Sequence, residues 1–126
     1  MAYHVSKSVF EQLVERALAE LPAQFAAFLE EVPLEVRPRP SEQQLERVGL
    51  GEDDLLLGLY DGVPLTERSV EHSGMRPAVI YIFKEDVELA SDSEAELVEQ
   101  VRTTVLHEIG HHFGMDEDDL DELGYG

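Results

Sequence analysis

Apolar residues recur at helical spacing from Ser6 to about Leu21, with Val9, Phe10, Leu13, Val14, Ala17 and Leu18 on one stripe and Ser8 and Glu11 in capping-box register. This predicts an amphipathic helix. Pro22 suits the first turn of a second, short helix whose apolar side is Phe25, Phe28 and Leu29. The alternation from Val32 to Val36, with Pro33 inside it, predicts a short edge strand, and Ser41 with Gln44 predicts a capped helical turn before Gly49. Residues 55–65 set two apolar runs on either side of Asp61-Gly62, the pattern of a β-hairpin. Residues 66–77 are polar and read as a loop. Ala78 to Phe83 is the most strand-like segment, followed by a turn near Glu85 and Asp86. Ser93 and Glu96, again in capping-box register, open a helix of about twenty residues that stops at Gly114. Residues 116–123 read as a final short helix with its acids at the N-terminal end.

With 126 residues, 43% of them hydrophobic, and no repeat or linker, the chain is expected to form a single domain over residues 1–126. Its 28 acidic residues against 9 basic ones give a net charge of -19. That charge opposes binding to nucleic acid or to an anionic membrane, and favours a cationic peptide, a basic protein partner or a divalent metal. No apolar run approaches a membrane span and the first residues have no signal-peptide pattern, so a cytoplasmic location is expected. There is no cysteine, so a transition metal must be held by histidine and carboxylate.

His107, Glu108 and His111 form an HExxH motif inside the long predicted helix. A spacing of four puts both imidazoles on one face, one turn apart, where two nitrogens reach a single ion and Glu108 reaches a water beside it. Val98, Val101, Val105 and Ile109 cluster on another side, so the two histidines stand off the packing stripe with Gln100 and Thr104. The competing reading is two solvated histidines beside a helix-favouring glutamate. His112 projects toward the apolar side and reads as a buried or supporting histidine. A catalytic zinc takes three protein ligands and a water. Gly114 can reverse the chain and return Glu117 to the metal, with Asp116 or Asp118 as alternatives if the turn differs by one residue. Two histidines and a carboxylate suit Zn2+, and also manganese, iron, nickel or cobalt. Tyr81, His72 and Tyr125 are candidate donors to an oxyanion.

HEIGHHFGMDE resembles the extended zincin signature HExxHxxGxx followed by His, Asp or Glu. With GLYDGVPLTER at 58–68, SGMRPAVIYIFK at 73–84 and VRTTVLHEIGHHFG at 101–114, the chain resembles a family of small bacterial minimal zincins described as zinc metallopeptidases. The resemblance implies an α+β, zincin-like fold in which a small mixed β-sheet packs against N-terminal helices and the HExxH helix. It implies His107, His111 and Glu117 as metal ligands, Glu108 as general base, and a peptide or protein substrate. Metzincins carry a third histidine where Glu117 stands and continue into a subdomain with a methionine turn. Met115 is too close to the motif to form that turn. The departure, together with the charge, frames a second expectation: a catalytically inactive, metal-stabilised acidic module that binds a basic protein.

Overall fold

The computed structural model describes residues 2–30, 32–62 and 78–112. The first helix, α1 (Lys7–Ala19), buries Phe10, Leu13, Val14 and Ala17, the i, i+3, i+4, i+7 stripe of an amphipathic helix. Its cap differs from the expected capping box. Ser6, in extended backbone, accepts the Val9 N–H at 3.2 Å, so the helix begins at Lys7 and Ser8 already lies inside it. Pro22 precedes α2 (Ala23–Phe28), which buries Phe28 and half-buries Phe25.

Three strands form one mixed sheet in the order β1 (Leu34–Arg37), β3 (Val79–Phe83), β2 (Gly58–Asp61). β1 runs parallel to β3 with Leu34 opposite Ile80, and β2 runs antiparallel with Tyr60 opposite Ile80. Among the described strands β1 therefore lies at an edge, as Pro33 requires: a proline has no N–H for an inner position, and the Pro33 carbonyl accepts from Ile80 N at 3.0 Å. The described neighbour of β2 is β3. Residues 63–65, the second half of the expected hairpin, and the loop at 66–77 lie outside the described residues.

Between β1 and β2, α3 (Glu42–Arg47) carries a complete capping box, with Ser41 Oγ accepting from Gln44 N and Gln44 Oε1 accepting from Ser41 N. Gly49 at φ 78 ends it, and Leu50 N–H closes back on Leu45 O at 2.8 Å. After β3 the expected turn is instead a helix, α4 (Lys84–Leu89). Glu85 and Asp86 occupy its first turn, where the helix dipole favours acids. Glu88 fastens the segment before α1: its carboxylate accepts from Val5 N at 2.8 Å and from Lys84 Nζ at 2.9 Å, and its carbonyl from Tyr3 N at 3.1 Å.

The last described helix is α5 (Glu94–His112), where Ser93 Oγ accepts the Glu96 N–H at 3.1 Å as the capping register predicts. Leu97, Val98, Val101, Val105 and Ile109 of α5 join the stripe of α1 and the inward residues Ile80 and Ile82 of β3 in one core. Strand alternation turns Tyr81 to the other face, where its ring stacks on Phe83 at 6.2 Å and lies under the Arg37 guanidinium at 5.4 Å. The fold is α+β, a small mixed sheet with α1 and α5 on one face, as the zincin-like expectation holds. Among the described residues no helix is long and apolar enough to cross a membrane.

Candidate metal centre

The regular rise of α5 puts His107 and His111 one turn apart, with ring centroids 4.7 Å from each other and the planes at 51°. Both are half-buried, clear of the core stripe. His107, Glu108 and His111 each offer one ligand atom, and the three lie within 4.8 Å of one another. Two donors on one tetrahedral zinc stand about 3.4 Å apart at ordinary zinc–nitrogen lengths. Small rotations of half-exposed imidazoles cover that difference. Two imidazole nitrogens with no thiolate suit zinc and its first-row neighbours, and Glu108 stands beside them as a carboxylate that could meet a water on the ion.

Glu108 differs from the histidines beside it. It is 6% exposed, and its Oε1 accepts the main-chain N–H of Tyr60 at 2.6 Å. His111 Nδ1 lies 3.8 Å from the same oxygen. Burying a carboxylate without donors is costly, and a backbone N–H is the partner that makes this position tenable. The donor comes from β2 because α5 packs directly on that strand. A cavity of about 280 Å³ opens beside Glu108, lined by Leu56, Leu57 and Gly58 on the strand side and by Thr103, Thr104 and His107 on the helix side.

The structure thus brings His107, Glu108 and His111 together. Glu117, with its alternatives Asp116 and Asp118, lies outside the described residues, as do Gly114, Met115, His72 and Tyr125. The side chain of His112 is likewise not described. Tyr81 is not brought to the site: it faces a separate hollow with Arg37, Arg39, Ser41 and Gln44, on the side of the sheet away from α5. Strand parity is the reason, since Ile80 and Ile82 take the inward positions. Sequence reasoning missed the main-chain donor of Tyr60 and the close approach of Thr104 to the backbone at Gly58. A glycine inside an apolar strand pattern signals close backbone approach, and that signal was present at position 58.

A three-stranded mixed sheet backing a helix that carries a His/Glu/His group is the architecture of a zincin-like protein. The family model described as zincin-like metallopeptidase matches residues 29–126, and the chain belongs to that family. No curated protein matches it. Among solved structures it is similar to a conserved hypothetical protein from Thermus thermophilus, at 24% identity over 94% of this chain and 97% of that chain, with a TM-score of 0.53. At that identity the likeness concerns the fold.

Proposed function

We propose that the protein is a zinc-dependent metallopeptidase in which His107, His111 and Glu117 hold the metal and Glu108 is the general base. The observation that carries this reading is the pairing of a buried, backbone-held carboxylate with two histidines, beside a cavity that His107 and Glu108 line. A bound zinc supplies polarisation of the scissile carbonyl and lowers the pKa of a water toward neutrality. Glu108 takes the proton of the attacking water on its carboxylate and delivers it to the leaving nitrogen. The bond from Tyr60 fixes the orientation of that carboxylate before a substrate arrives.

Strand β2 supports peptide binding. Phe83 N–H bonds Leu57 O at 2.9 Å, so residues 57, 59 and 61 point their main-chain groups toward β3 while Gly58 and Tyr60 point theirs to the other side. The Tyr60 N–H on that side is held by Glu108, so an extended peptide reaching this edge pairs with the main chain of Gly58 and meets the Glu108 and His107 side chains. The net charge of -19 favours substrates with basic segments.

The charge also favours a second reading, an inactive metal-stabilised module that holds a basic partner. Metal content by mass spectrometry on the wild type and on His111→Ala, after removal of loosely held ions, tests the site. A peptide library with Glu108→Gln as control then tests the chemistry. Stoichiometric zinc with cleavage lost in Glu108→Gln supports the peptidase. Zinc without cleavage, and with a salt-sensitive basic partner, supports the module. A wild type that takes up no transition metal refutes both.

A further inference from the structure

Gly58 is where β2 and α5 touch. A Cβ built there would overlap Thr104 Cγ2, lie 2.9 Å from Tyr81 O and 3.4 Å from Ile82 Cδ1. Real side chains do not make the first two contacts. Among the described residues only Gly49 has positive φ, so position 58 requires glycine for space and not for an unusual backbone.

The spacing links this contact to the carboxylate of Glu108. From Thr104 to Glu108 the helix advances four residues, about 6 Å at its rise per residue. From Gly58 to Tyr60 the strand advances two residues, about 6.8 Å. The two elements therefore keep step, and the helix-to-strand distance set at Gly58 and Thr104 recurs one turn later between Tyr60 N–H and Glu108 Oε1, which stand 2.6 Å apart. Close-packed interiors transmit a displacement of this kind instead of absorbing it.

We propose that Gly58 is a positioning residue: its bare Cα seats α5 on β2 at the one separation that lets the Tyr60 main-chain N–H hold the Glu108 carboxylate in its working orientation. This rests on reading Glu108 as the general base. The metal ligands His107 and His111 stand together on α5, so their mutual geometry travels with the helix and does not depend on the contact.

The test uses Gly58→Ala, Thr104→Ser and the double variant, each as the full chain loaded with zinc. Thr104→Ser deletes Cγ2, the atom the new methyl would overlap. Hydrogen exchange at the Tyr60 amide is measured against the Leu59 and Asp61 amides, which point toward β3, so that global loosening cancels. In Gly58→Ala the Tyr60 amide should exchange about tenfold faster relative to those two, and the double variant should recover part of the protection. Zinc per chain should stay at the wild-type level. With a quenched-fluorescence peptide that the wild type cleaves, kcat should fall about 10- to 100-fold while KM stays within about twofold, because an ångström of misplacement affects the chemical step more than binding.

Wild-type exchange at Tyr60 in a folded Gly58→Ala overturns the proposal, as does loss of zinc with Tyr60 protection intact. Unchanged kcat in a variant that has lost the protection overturns it equally. If Gly58→Ala alone does not fold, the double variant decides: intermediate Tyr60 exchange supports the proposal. Failure of the double variant to fold overturns it, since the demand for space would then come from Tyr81 O within the sheet. A wild type that cleaves no peptide refutes the reading of Glu108 as base, and exchange and zinc content still decide whether Gly58 sets the contact.

Discussion

The carboxylate of Asp86 accepts the main-chain N–H of Leu56 at 2.9 Å, tying the first turn of α4 to the segment that enters β2 and walls the cavity beside Glu108. Asp86 is 2% exposed, and burial pushes its carboxyl above the usual Asp range against the pull of the Leu56 N–H and Arg39. The folded chain therefore holds this proton more tightly than the unfolded chain. Stability from this group is lost as pH rises from the ordinary Asp range through the raised value, and regained on acidification.

Asp86→Asn keeps an acceptor for Leu56 and removes the buried charge. At neutral pH its thermal midpoint should equal or exceed that of the wild type, and the difference should shrink as pH falls. Asp86→Ala leaves the N–H without its partner and should cost about 1–3 kcal/mol. An Asn variant as unstable as the Ala variant would show that the ionised carboxylate itself is required.

Glu88 has the opposite sign. Burial pushes its carboxyl up, but the Val5 N–H, Lys84 and His4 together outweigh burial and hold it below the ordinary Glu range. Its contribution is present above that range and is lost as pH falls through the lowered value. Glu88→Gln should destabilise by about 2 kcal/mol at neutral pH and speed amide exchange at Val5. The gap to wild type should close in acid. A gap that persists far below the Glu range would assign the effect to packing.

Ile109, next to Glu108 in α5, is fully buried in the core. Ile109→Ala should lower unfolding free energy by about 2–5 kcal/mol in denaturant titrations, and Ile109→Val by about 1 kcal/mol. Similar losses for both would indicate that the site collapses around the deleted atoms.

If the proposed site takes zinc in the folded chain alone, zinc must raise the thermal midpoint. Free zinc at a hundredfold over Kd adds about 2.7 kcal/mol. The wild type should show this rise, reversed by a chelator, and the His107→Ala/His111→Ala variant should not. An equal rise in both would place the ion elsewhere on the acidic surface.

Much of this arrangement was legible in the residues. The stripe of α1, the Ser41–Gln44 box, the edge position of β1 and the capped α5 with its HExxH group all follow from local periodicity and capping chemistry. Helix α4 was not legible, because six residues are too few to show a period and its buried Asp86 and Glu88 look like solvated acids until Leu56, Val5 and Lys84 are seen against them. The pairing of β2 with β3 was not legible for a related reason: the Asp61-Gly62 signal points to the next few residues, which lie outside the described ones, whereas β3 lies across a long stretch of chain. The donor that holds Glu108 belongs to the main chain of Tyr60, and no side-chain pattern reports a backbone N–H.

The packing of α1 on α5 sets the order in which the chain can acquire its structure during synthesis. Phe10, Leu13, Val14 and Ala17 leave the ribosome first, yet the surface that covers them runs from Leu97 to Ile109, and the Arg16–Glu94 bond at 3.1 Å joins the same two helices. Until α5 has emerged, the apolar stripe of α1 can close only on the earlier members of its core, Ile80 and Ile82 among them. The core is therefore completed late in the order of the chain, and the histidines arrive on the same segment that completes it.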